Sequence, residues 1–81
     1  MSGGHFDNNQ YIITMIIEDI ETYLKSDHNL PDDIIQEFKN GIKALEVAYV
    51  YTKSIDYLIS DDYGLDSFRK NLKNDLERIN V

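Results

Sequence analysis

Cysteine and tryptophan are both missing from this 81-residue chain, proline occurs once and glycine four times. Without thiols, neither a disulfide nor a thiolate metal site supplements the core, a pattern that fits a reducing compartment. A chain this short buries only about 60 to 65% of its unfolded surface, so stability has to come from packing or from self-association. No apolar run approaches the roughly 18 residues of a membrane span, and the N-terminus lacks the basic, apolar, small-residue order of a signal peptide. The expectation is a soluble, cytoplasmic protein. Basic residues are scarce too: eight against fifteen acids, a net charge of -7. That balance repels phosphate backbones and anionic lipid, so neither direct nucleic-acid binding nor membrane contact is expected. Residues 1–66 hold thirteen acids and four lysines, whereas residues 67–81 hold two acids and four bases. The body is acidic and the tail mildly basic.

What is present reads as helix. Asp7 as N-cap with Gln10 three residues on forms a capping box, and Phe6 with Tyr11 forms a hydrophobic staple. Ile13, Ile16, Ile17, Ile20, Tyr23 and Leu24 then recur at helical spacing, predicting a helix over about 8–25. Ser26 to Asn29 is a polar joint. Pro31, Asp32 and Asp33 open a second helix, proline being at home in a first turn and carboxylates at the positive end of the dipole. Its apolar series Ile35, Phe38, Ile42, Leu45, Tyr49, Thr52 and Ile59 steps by three and four, interrupted by Asp56. Asn40-Gly41 is a strong hairpin signal, but the flanks do not alternate with period two. The phase holds across it, which predicts one helix over about 31–60, with Gly41 costing roughly 1 kcal/mol relative to alanine.

Residues 44–51, ALEVAYVY, are apolar on more than one face, and such a helix is covered on more than one face. Ser60 to Gly64 is the second joint, and Leu65, Phe68, Leu72, Leu76 and Ile79 stripe a last helix over about 65–79. The expectation is a single all-α domain over residues 1–81, with residues 1–7 as leader and cap. Its fold is a three-helix antiparallel bundle with a long central helix, self-associating as a homodimer or higher oligomer.

Candidate chemistry is thin. His5, Asp7 and His28 lack the spacing of a zinc site, and Asp56, Asp61, Asp62 and Asp66 lack the alternating ligands of a calcium loop. No metal and no cofactor is expected. Asp61, Asp62 and Asp66 read as helix-start acids. Asp56 falls on an apolar stripe, where an ionised group needs a partner such as a tyrosine hydroxyl or Arg69, or else faces a ligand. Six tyrosines offer aromatic surface for partner contacts. There is no phosphate loop, no cysteine nucleophile and no serine triad, so no enzyme is expected. Nothing in a helix start calls for Gly3-Gly4-His5, which marks that stretch as a place where backbone passes close to a partner. The candidate binding residues are Gly3, Gly4, His5, Phe6, Asp7, Tyr11, Asp56, Tyr57 and Asp62.

Ser2-Gly3-Gly4-His5-Phe6-Asp7, followed by Gln10-Tyr11-Ile12, resembles the N-terminal signature of a family of small phage and prophage proteins beginning S-G-G-H-F-D-Y-x-Q-Y. The resemblance continues through Phe38, Leu45, Ala48, Tyr49, Ile55-Asp56-Tyr57-Leu58, Ser60, Asp62, Gly64, Ser67-Phe68 and Leu72. Asn8 departs from it where tyrosine is usual, Asp61 where glycine is expected, and Tyr63 where a second aspartate is expected. The resemblance implies context, an accessory protein of a bacterial virus. By analogy such a protein binds and inhibits a host protein, with a defence component as the expected target, without catalysis. Two other readings stand beside it: an oligomeric sponge holding a nucleotide signal between tyrosines and Lys25, Lys39, Lys43 and Arg69, and an acidic nucleic-acid mimic.

Overall fold

The computed structural model describes residue 6 and residues 9–79, which form α1 (Tyr11–Lys25), α2 (Asp32–Ile59) and α3 (Leu65–Ile79). The expectation of an all-α three-helix bundle with a long central helix is met. Gln10 lies beside Asp56 and Tyr23 beside Phe38, so α1 runs antiparallel to α2. Among the described residues the outer helices each pack on α2 and not on one another. The result is a layer one helix thick, with Cα extents of 47 × 25 × 12 Å. No helix among the described residues is long and apolar enough to cross a membrane.

The first helix departs from expectation at its start. It begins at Tyr11 rather than about residue 8, and Asn9–Phe6, Ile12–Asn9 and Ile13–Gln10 backbone bonds form i to i+3 turns leading into it. Asp7 and Asn8 lie outside the described residues. Gln10 does not return a capping bond, because its Nε2 donates to Asp56 and its Oε1 has no hydrogen-bond partner. The C-terminus is tied by side chains: Ser26 Oγ donates to Tyr23 O, and His28 Nε2 lies 3.1 Å from Leu24 O. The Leu30 N–H points at His28 Nδ1, so the tautomer with its hydrogen on Nε2 serves both contacts. His28 is thus a capping residue, stacked on Tyr23.

The second helix passes through Asn40-Gly41 without a break, Pro31 standing just before it as N-cap. Asn40 spends its side chain along the helix surface, accepting from Gln36 at 3.0 Å and donating to Glu37 at 2.8 Å. A turn would need that side chain for its own backbone. At the other end Asp61 N–H reaches Leu58 O and Asp62 N–H reaches Tyr57 O, the two bonds of a Schellman motif. The motif needs a left-handed residue after the C-cap, and Asp61 supplies it with φ 63°. Asp61 and Asp62, expected as helix-start acids, thus belong instead to the turn that ends α2.

A single layer leaves little interior. Among the described residues Val50, still 9% exposed, is the one apolar residue that counts as buried, and no apolar side chain is fully enclosed. The chain exposes 5896 Å², against about 5,000 Å² for a compact monomer of its mass. Its Cα radius of gyration is 15.1 Å, against roughly 12 Å for a compact chain of this length.

Two substitutions test this backbone. A Cβ on Gly41 meets nothing within 4 Å, so Gly41→Ala adds about 1 kcal/mol of stability and several degrees of Tm. A lower Tm would show that the helix is not continuous there. At Asp61, glycine removes a left-handed cost of roughly 1 to 2 kcal/mol at some entropic expense, whereas a β-branched residue raises it. Thermal melts are expected to rank Asp61→Gly above the native chain and Asp61→Val below it.

Candidate functional site

Asp56 sits on α2 and is fully buried, at 0% exposure, and Gln10, at 6%, is buried against it. Gln10 Nε2 donates to Asp56 Oδ2 at 3.1 Å, and Ser60 Oγ lies 3.3 Å from Oδ1. Neutral donors thus take part in holding a buried carboxylate. The partner named from sequence, Arg69, is elsewhere: it pairs with Asp66 at 3.1 Å on the exposed surface of α3. The contact ties the turn preceding α1 to the last turns of α2, across 46 residues of sequence. Its other face is unfinished, since buried Gln10 Oε1 has no partner. A buried acceptor left so costs about 1 to 3 kcal/mol.

The remaining sequence candidates are scattered. Tyr57 and Tyr63 pack with their rings tilted at 58°, centroids 5.0 Å apart, on either side of the Schellman turn in sequence. Asp62 is exposed within that turn, Tyr11 lies 6.4 Å from Tyr49, and Phe6 is half-buried. Gly3, Gly4, His5 and Asp7 lie outside the described residues. Among the described residues no cluster of histidine, aspartate and glutamate has the makings of a metal site.

Sequence reasoning did not find the groove between the outer helices. Ile17 of α1, Tyr49 and Val50 of α2 and Ile79 of α3 form its apolar floor. Thr14, Glu18 and Glu21 line the α1 side, Glu46 lines it from α2, and the cavity measures about 370 Å³. It continues past Lys53, Asp75 and Arg78, the last two ion-paired at 3.0 Å. Glu18 and Glu21 fall one turn apart on α1, and Glu46 lies one turn before Val50 on α2. Their convergence depends on how the helices align, which no single helix pattern shows. Burial first, then the neighbouring Tyr11 and Tyr57, pushes the Tyr49 phenol up from its ordinary value. Tyr63 is pushed up likewise by burial, then by Tyr57 and Asp75.

Two measurements follow. Gln10→Ala and Asp56→Ala each destabilise the protein, and the double variant loses less than their sum, with a coupling of about 0.5 to 3 kcal/mol in urea unfolding. Strict additivity would mean that the two side chains do not interact. Above pH about 10 the unfolded chain releases tyrosine protons that the folded chain retains, so stability falls as pH rises further. Tyr49→Phe is expected to make that fall shallower; an unchanged slope would remove Tyr49 from the account. No protein-family model, curated protein or solved structure matches this chain.

Proposed function

We propose that the protein is a non-catalytic binding module, an accessory protein of a bacterial virus or prophage that blocks a host protein. The observation that carries the reading is the groove, lined by the apolar Ile17, Tyr49, Val50 and Ile79 together with the acidic Glu18, Glu21 and Glu46. That combination fits a partner's arginine or lysine, whose aliphatic stem lies along the floor while its charged head reaches the acids. A basic protein surface is the natural counterpart of a chain with net charge -7. The resembled N-terminal signature supplies the viral context. A nucleotide phosphate would meet three glutamates at the α1 end of the groove, and at the other end Lys53 and an Arg78 already paired with Asp75, so the groove favours a cationic partner over the nucleotide-sponge reading.

Affinity purification of the tagged protein from infected host cells is expected to recover a stoichiometric partner with a basic surface. Glu46→Lys with Glu18→Lys is expected to weaken that capture at least tenfold, and capture by the native chain is expected to weaken as salt rises. Undiminished capture by the charge-reversed variant would rule the groove out, and the absence of any stoichiometric partner would count against the reading as a whole.

A further inference from the structure

The groove marks one side of the layer, and most of the uncovered apolar surface lies on the other. At 100° per residue, Ile12, Ile16 and Tyr23 lie across α1 from Thr14 and Glu18. On α2, Tyr51, Ile55 and Ile59 lie across from Glu46 and Lys53. All six are exposed, between 37% for Ile55 and 55% for Ile12. Between them run Ala44 and Ala48, also exposed, whose small side chains let another helix approach closely. Because α1 and α2 are neighbours, these residues form one continuous apolar face.

Area indicates what covers it. The footprint of 47 × 25 Å is on the order of 1,000 Å², against about 800 Å² per partner in a stable complex. The surface in excess of a compact monomer, roughly 900 Å², is of the same size. The stripe is also complementary to itself. Reversed about the bond between Tyr51 and Thr52, it sets Ala44 against Ile59 and Ala48 against Ile55. Small residues then face large ones, and the two helix dipoles oppose. A parallel alignment would stack alanine on alanine and isoleucine on isoleucine.

We propose that this face docks a second copy of the chain, with the two α2 helices antiparallel across a two-fold axis at Tyr51. The contact is isologous and closed, so it makes a dimer rather than a filament. Both acidic grooves face outward in that dimer, and the dimer stands or falls independently of what the grooves bind.

The chain's lack of cysteine makes the test clean. Light scattering of the native protein at micromolar concentration is expected to give twice the 9.4 kDa chain mass. Under mild oxidation Tyr51→Cys is expected to cross-link to itself. Ala44→Cys and Ile59→Cys are each expected to stay uncross-linked alone, since like positions then lie about 22 Å apart along the helix. Mixed one to one, they are expected to cross-link. Circular dichroism checks that each variant is helical, and if Ile59→Cys fails to fold, Ala48→Cys mixed with Ile55→Cys reads the same register. Monomeric mass throughout would overturn the proposal. So would self-cross-linking of Ala44→Cys and Ile59→Cys, or cross-linking confined to Glu21→Cys on the groove side.

Discussion

The packing of both outer helices onto α2 alone is the constraint on which the rest of the structure depends. A bundle in which three helices meet pairwise encloses an interior, whereas three helices side by side enclose almost none. Each outer helix therefore has three sides that no neighbour covers, and α2 has a strip on each side of the layer that neither neighbour reaches. The near-absence of fully buried apolar residues, the enlarged radius of gyration and the surplus surface are three expressions of that arrangement. On one side the uncovered strip carries acids over an apolar floor. On the other it carries alanine, isoleucine and tyrosine with little charge. The first suits an exchangeable polar partner, and the second suits permanent cover.

Within so thin a layer the Gln10–Asp56 contact matters more than one hydrogen bond ordinarily would. A net contribution of about 1 kcal/mol is typical, but a buried carboxylate deprived of a donor costs more than the bond itself contributed. The contact is made by the residue just before α1, whose first residue is Tyr11. It aligns α1 along α2, placing Glu18 and Glu21 opposite Glu46. The groove therefore depends on a polar contact outside it.

Much of the fold was legible from residues because helix signals are local. The series from Ile35 to Ile59 keeps its phase through Asn40-Gly41, and that periodicity outweighed a turn signal two residues long. The bounds of α3 follow from its narrow stripe of Leu65, Phe68, Leu72, Leu76 and Ile79. Asp61 was not legible: it read as a helix-start acid, whereas it is the left-handed residue of the Schellman turn that ends α2. Nor could the features that join distant parts of the chain be read. Gln10 looked like half of a capping box because its real partner is 46 residues away. Asp56 was singled out correctly as a carboxylate in need of partners, yet Arg69 was the wrong one to expect, being engaged with Asp66 one turn away. The groove has no sequence signature at all, because its glutamates come from two helices whose alignment only the packed structure defines.

If the layer is completed by its own copy, folding and association are coupled, and stability must depend on protein concentration. The most direct measurement is the thermal unfolding midpoint of the native chain, followed by circular dichroism from about 1 to 100 μM. The account predicts a Tm that climbs steadily with concentration across that range. A midpoint independent of concentration would show that the single layer folds alone, and would contradict the account at its centre.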